Sequence, residues 1–293
     1  MKDFPIPVIA DGLSGLVGPG TQSGAGDGFS YMPIPREVQT FAMPQVPAEA
    51  DAVHLAAARD LLARFVDEMQ RGQSLPLDLA GLHAGVVEVL NQTLGEGEVA
   101  IRIGRRNGSH HDVRIQETVF AGVWRERHHA ADGSLLHDYL RAEPIPPLAL
   151  EHAERSSSPV LPPIEMPPGA MNAPALLTEI RAGVARYRPG DAAHVINLTL
   201  LPLTADDLSL LDRALPPGSV AILSRGFGNC RVSSTGIRHL WRVQYFNSMQ
   251  TLILNTLEIT RVPEVALAAA EDLADSGARL RELVDWMAED LAA

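Results

Sequence analysis

The chain of 293 residues predicts an α+β protein of two tandem, internally duplicated modules. Each module should be an antiparallel sheet of about three to four strands with packed helices, and a long C-terminal helix should close the chain. Three observations predict this: an internal repeat, alternating strand patterns around short turns, and helical periodicity bounded by capping residues. In the repeat, Leu90-Asn91-Gln92-Thr93-Leu94-Gly95-Glu96-Gly97-Glu98-Val99-Ala100-Ile101 matches Leu211-Asp212-Arg213-Ala214-Leu215-Pro216-Pro217-Gly218-Ser219-Val220-Ala221-Ile222 at an offset of 121. Further on, Thr118, Trp124, Arg125, Leu135 and Pro146 match Thr235, Trp241, Arg242, Leu252 and Pro263 at an offset of 117. The difference of four residues falls in one turn, between the first two strands of each copy.

The elements follow in order. Leu55, Leu62, Phe65, Val66 and Met69 recur at helical spacing, which predicts a helix over Val53–Arg71. Asp78 should cap a second helix that runs to Leu94 and stops at Gly95. A short strand, a turn, a long strand through Trp124-Arg125 and a third strand ending in proline complete the first copy. Its last turn is Ala131-Asp132-Gly133. In the second copy, Pro174–Tyr187 is helical, His194–Leu200 is a β-branched strand, and Thr204 with Asp207 three residues on makes a variant capping box. Val232–Phe246 and Thr251–Ile259 alternate as a hairpin around Asn247-Ser248. The closing helix should enter through Pro263 and run to about Leu291.

Proline marks the boundaries. Residues 1–47 hold seven of the 22 prolines and residues 144–174 hold nine. The expected division is a flexible Pro/Gly-rich segment at 1–47, a first module at 48–146, a Pro-rich extended linker at 147–172 and a second module at 173–293. Within the first stretch, Pro33–Phe41 mixes apolar anchors with polar residues and suits docking as an extended strand.

Charge and cysteine content exclude several function classes. Twenty-four basic and 36 acidic residues give a net charge of −12 and a pI near 5.2. Such a field repels phosphate backbones and anionic lipid, so neither nucleic acid nor a membrane is an expected partner. Cys230 is the sole cysteine, which rules out an intramolecular disulfide and a Cys-rich metal cage. Met1-Lys2-Asp3-Phe4-Pro5 lacks the basic-then-apolar run of a signal peptide, and no stretch nears the ~18 apolar residues of a span. A cytoplasmic location is expected.

The loop Arg225-Gly226-Phe227-Gly228-Asn229-Cys230-Arg231 is the foremost candidate for binding a partner. Its glycines permit a tight turn and close approach of another backbone. Arg225 and Arg231 favour the thiolate of Cys230 if that thiol is exposed; alternatively, Cys230 begins a strand as a small buried hydrophobe. Trp124 and Trp241, at equivalent places beside Arg125 and Arg242, are either structural anchors or interface residues. A hydrolase pair of Cys230 and His239 would need the two side chains to meet in space. The pairs His110-His111 and His128-His129 sit on strand ends where neighbours face opposite ways, a poor geometry for one ion. The acids Glu271, Asp272, Asp275, Glu282, Asp285, Glu289 and Asp290 form a charged face on the closing helix, either simply solvated or attractive to an arginine-bearing peptide.

The run Ile222-Leu223-Ser224-Arg225-Gly226-Phe227-Gly228-Asn229-Cys230-Arg231, with Trp241–Asn247, Leu252–Glu258 and Val262–Val265, resembles the C-terminal region of the HupH/HyaF family of [NiFe]-hydrogenase accessory proteins. Asn197–Thr204, Gln116–Arg125 and Pro35–Phe41 carry the likeness upstream, so it covers nearly all of the chain after residue 30. The resemblance implies a cytoplasmic maturation factor, not an enzyme and without a cofactor of its own. It implies binding of a hydrogenase subunit precursor before export, chiefly the iron–sulfur small subunit with its twin-arginine signal. The implied companions are a thioredoxin-like accessory protein or the large subunit. A rival reading makes the chain a scaffold for iron or part of a metal centre, with Cys230 as a ligand completed by another molecule.

Overall fold

The computed structural model describes residues 50–73, 75–104, 112–225 and 229–291. The segment 1–47, including Pro33–Phe41, lies outside the described residues. Each module begins with two helices: α1 (Ala52–Gln70) and α2 (Ala84–Leu94) in the first, α4 (Ala173–Arg186) and α5 (Ala205–Ala214) in the second. A short strand intervenes, β1 (Leu77–Asp78) or β6 (His194–Asn197). Four strands follow: β2 (Val99–Ile103), β3 (Asp112–Glu117), β4 (Val123–His129) and β5 (Leu135–Ala142) in the first module. Their counterparts are β7 (Pro217–Ser224), β8 (Asn229–Thr235), β9 (Leu240–Phe246) and β10 (Leu252–Ile259). Helix α3 (Pro147–Arg155) follows the first set, and α6 (Ala270–Asp290) ends the chain.

The two modules share one ten-stranded antiparallel sheet, in the order β1-β5-β4-β3-β2-β7-β8-β9-β10-β6. Read outward from the β2–β7 seam, the order is the same in both directions. The register places Ile101 opposite Ile222, the two residues that the 121 offset makes equivalent, so a pseudo-two-fold axis passes between them. Separate modules would leave β2 and β7 as long apolar edges, and pairing them satisfies both ladders at once. The symmetry reaches single bonds. Gly104 N–H donates to Ser219 O and Arg225 N–H to Glu98 O, at 2.8 and 3.2 Å, each the repeat image of the other.

One face of the sheet carries α1, α2, α4, α5 and α6, which pack over the flanks in two clusters. The first joins Leu62, Phe65 and Leu90 to Val123 and Leu140; the second joins Leu177, Ile180 and Leu211 to Leu257 and Ile259. The opposite face is apolar at its centre, where Ile101, Ile115, Trp124, Ile222, Val232 and Trp241 lie beneath Ala149 of α3 and its counterpart Ala266.

Several elements depart from the sequence expectation. Asp78 ends β1 and caps a turn through Ala80 N–H, while α2 starts six residues later with the His83 ring accepting from Gly85 N–H. The long strand of each copy is two strands, broken at 118–122 and 236–239, because Thr118 and Thr235 turn their hydroxyls back on the chain. Thr118 Oγ1 bonds Phe120 O and N–H at 3.2 Å; Thr235 Oγ1 bonds Ile237 O at 3.2 Å and its N–H at 3.1 Å. Both breaks pass through a positive φ, +74° at Gly122 and +61° at its counterpart His239. Leu198–Leu200 is a 3-10 turn rather than strand, set by Asn197 Oδ1 accepting from Thr199 N–H. Pro147–Arg155, expected as extended linker, is helical because Ala149, Leu150 and Ala153 at helical spacing cover the sheet seam. Pro263 opens only a 3-10 turn, Glu264–Ala266, before α6 begins. Thr204 and Asp207 do form the capping box, with Thr204 Oγ1 accepting from Asp207 N–H at 3.0 Å.

Helix α6 does not pack on its own module. Leu280, Leu283, Val284 and Met287 enter the first module's core against α1.

Candidate functional site

Trp124 and Trp241 are 1% and 2% exposed, each donating its indole N–H to a backbone carbonyl, Glu143 O at 2.8 Å and Arg261 O at 3.2 Å. An interface residue needs accessible atoms, so these two are anchors of the core and the interface expectation is corrected. Arg125 is likewise buried, paired through Nε and Nη2 with Asp138, at 2.6 Å for Nη2, and donating from Nη1 to Asn91 at 2.7 Å. The second copy repeats this triad with acid and amide exchanged: Arg242 donates to Asn255 at 3.3 Å and to Asp212 at 3.0 Å. Arg242 is only partly buried.

Cys230 lies on β8 among the seam residues and is 3% exposed. Burial pushes its thiol up to about 11, although a hydrogen bond with the Tyr245 hydroxyl works the other way. Tyr245 is itself raised to about 12 by burial and by the neighbouring thiol. An activated thiolate is therefore disfavoured here, and of the two readings of Cys230 the buried one holds. His239 sits in the turn before β9 with its ring against Tyr187, 5.0 Å between centroids. It lies at the turn end of the β8–β9 pair, whereas Cys230, opposite Tyr245, lies at the other end, so it is not placed to serve as base to that thiol.

His110 and His111 lie outside the described residues, as do Gly226, Phe227 and Gly228. His128 and His129 face opposite sides of β4, and His128 Nε2 pairs with Glu126 Oε1 at 2.6 Å. Among the described residues no three His, Cys, Asp or Glu side chains group as a metal site requires. The acids of α6 are on an exposed helix flank.

What the turn does place on a shared surface is arginine. Residues directly opposite in adjacent strands share a face. One row across the helix-bearing face reads Asp138, Arg127, Arg114, Arg102, Ala221, Ser233 and Arg242. The next reads Arg125, Gln116, Ala100, Leu223, Arg231, Gln244 and Asn255. Arg231 thus shares a face with Arg102, Arg114 and Arg127, while Cys230 between it and Asn229 points to the other. Arg114 and Arg231 are repeat equivalents, as are Arg125 and Arg242, so four of these guanidiniums come in two symmetric pairs. Arg102 and Arg127 belong to the first module alone, their counterparts being Leu223 and Gln244.

Three arginines side by side on neighbouring strands repel one another, and the acids that temper them are few. Asp112 meets Arg114 at 3.0 Å and Arg102 at 3.5 Å; Asp138, already taken by Arg125, is 4.0 Å from Arg127. Partial burial and the charge of Arg125 lower the Arg127 pKa from its ordinary value. Beside them opens a cavity of about 400 Å³ lined by Asn91, Leu94, Glu96, Gln116, Thr118 and His129 together with Arg114, Arg125 and Arg127. The buried Nδ1 of His129 has no hydrogen-bond partner. Sequence reasoning passed over Arg102, Arg114 and Arg127, and weighed His129 only as half of a metal pair with His128. The available signal was arginine at alternate strand positions, Arg125 and Arg127, and again Arg102 and Arg114 on paired strands.

The chain matches the HupH hydrogenase expression protein, C-terminal conserved region, twice, over residues 50–158 and 170–287. It is 40% identical over 292 residues to the hydrogenase expression/formation protein HoxQ of Cupriavidus necator, covering 98% of this chain and 99% of that one. It is 41% identical over 290 residues to HupH of Rhodobacter capsulatus, covering 97% and 98%. It is 36% identical over 284 residues to the hydrogenase-1 operon protein HyaF of Escherichia coli K12, covering 94% and 96%. Matched in both of its modules and along nearly its whole length, the chain belongs to the HupH/HyaF family of hydrogenase expression proteins.

Proposed function

We propose that this protein is an accessory factor in the maturation of an uptake [NiFe] hydrogenase, acting by holding a hydrogenase subunit precursor rather than by turnover. The preferred partner is the precursor of the iron–sulfur small subunit, held before export. The names of the relatives support the pathway. The observation that carries the binding role is the arginine-bearing sheet face, on which Arg114 and Arg231 recur about the seam, in a chain whose net charge is −12. Arginine supplies forked donors suited to carboxylates and backbone carbonyls of another polypeptide. No helix among the described residues is long and apolar enough to cross a membrane.

The scaffold reading, with Cys230 as a metal ligand, fits the geometry less well. A thiol ligand must lose its proton, and the surroundings of Cys230 hold that proton on.

The test is co-purification from a host expressing the hydrogenase operon. The small-subunit precursor should be recovered with the wild-type chain and with Cys230→Ala, and recovered less with Arg225→Ala or Arg231→Ala. Equal recovery with every variant removes the Arg225–Arg231 turn from the contact. Recovery of the large subunit or of a thioredoxin-like protein in its place would reassign the partner.

A further inference from the structure

We propose that the cavity over β3 and β4 of the first module is a carboxylate-binding pocket that receives an acidic side chain of a partner polypeptide. Three guanidiniums line it, Arg114, Arg125 and Arg127, beside one carboxylate, Glu96; counted with their neighbours in the sheet, four guanidiniums (Arg102 on β2 added) face three carboxylates, Glu96 with Asp112 and Asp138. One formal positive charge remains, which suits a single carboxylate. A phosphate dianion would overfill that charge and face Glu96 as well.

The donors are placed for the task. Arg125 is used up by Asp138 and Asn91 and acts as the floor. Arg114 engages Asp112 through Nε at 3.0 Å, and its side chain is 64% exposed. Arg127 is 41% exposed, and the acid it meets is 4.0 Å away. The unpartnered Nδ1 of His129 lies in the same lining. The cavity of about 400 Å³ would hold roughly a dozen waters at ~30 Å³ each. A lone carboxylate leaves most of that empty, so the ligand brings a side chain and adjoining backbone, for which Leu94, Gly95 and Thr118 provide the remaining wall. The second module has no equal, because Leu223 and Gln244 stand where Arg102 and Arg127 stand. The pocket also adjoins the Arg225 turn, whose N–H donates to Glu98 O just beyond Glu96.

This deepens the proposed function by naming the chemistry of the contact, and it rests on that reading only in taking the ligand to be a polypeptide. The test uses the full chain and a fluorescein-labelled, end-blocked octapeptide carrying three aspartates, followed by anisotropy at 50 mM and 500 mM salt. The same peptide with asparagine in each place is the isosteric control. Saturable binding of the aspartate peptide is expected, weakened by salt and weakened tenfold or more in the Arg114→Gln/Arg127→Gln double variant, since charge-assisted bonds of this kind change affinity by at least that factor. Both residues are exposed enough that the variant should melt like wild type, which the thermal scan verifies. Equal binding of the asparagine peptide, or an unchanged affinity in a properly folded double variant, overturns the pocket. Displacement of the peptide by inorganic phosphate or acetate at lower concentration than by unlabelled peptide overturns the polypeptide assignment. Because the probe contains no hydrogenase sequence, its failure leaves the co-purification experiment to judge the broader function.

Discussion

Replacing Asp138 by asparagine removes the charge that Arg125 faces inside the first module. Arg125 is 6% exposed and Asp138 3%, so the orphaned guanidinium cannot turn to water. Breaking a buried pair from one side costs about 3–5 kcal/mol. In a chain of this length each kcal/mol moves the melting temperature by roughly 2–4 °C, so a fall of about 10 °C is expected. The second module indicates the remedy, for there Arg242 takes an amide from the strand and an acid from the helix. Asn91 Oδ1 already lies 2.7 Å from Arg125 Nη1, so Asn91→Asp returns a carboxylate to the same guanidinium. Asp138→Asn/Asn91→Asp should therefore lie within about 1 kcal/mol of wild type, with a coupling of at least 2 kcal/mol in the cycle. Chemical denaturation of the four proteins measures this. A double variant as unstable as the sum of the singles would refute the idea that the two triads are interchangeable charge arrangements.

Three further outcomes rest on buried groups elsewhere in the fold. The Cys230 thiol, raised to about 11 by burial, should alkylate with iodoacetamide far more slowly in the folded protein than in urea at pH 8; equal rates would place it at the surface. Glu117, buried and accepting from Gly122 N–H at 2.9 Å, is raised by desolvation from 4.5 to about 7. The folded state then holds a proton that the unfolded state has already lost, so stability should decline as pH rises from about 4.5 to 7 and level off above that. Glu117→Gln should flatten that slope and stabilise the protein at pH 8, by up to about 3 kcal/mol at 1.36 kcal/mol per pH unit; a denaturation series with unchanged slope would count against it. Truncation before Ala270 removes Leu280, Leu283, Val284 and Met287 from the first module's core. At about 1.5–3 kcal/mol per buried side chain the loss is about 6–12 kcal/mol, comparable to the whole stability of a typical domain, so protection from hydrogen exchange should collapse in α1 and α2 first.

The duplication, the capping box at Thr204 and the amphipathic faces of α1 and α4 were legible because they depend on local spacing. The two strand breaks were not. Thr118 and Thr235 look like ordinary strand residues until their hydroxyls are seen bonding residues two places on. Nor was α3 visible amid its prolines, since Pro146 and Pro147 at a helix start are permitted and only the apolar seam beneath shows why a helix is needed there. At the site, the sequence drew attention to Arg225–Arg231 through an unusual run of residue types. Arg102, Arg114 and Arg127 are commonplace singly and become a feature only when three strands bring them abreast.

Sequence pattern thus accounts for the two-copy α+β plan, for the helices other than α3 and for the repeat register, because each is written in the spacing of residue types along the chain. The continuous sheet, the exchange of α6 onto the other module, the burial of Cys230 and the gathering of arginines over one cavity depend on which distant segments pair. That choice is made by edge strands seeking hydrogen-bond partners and apolar faces seeking cover, and no short stretch of sequence contains both sides of the bargain.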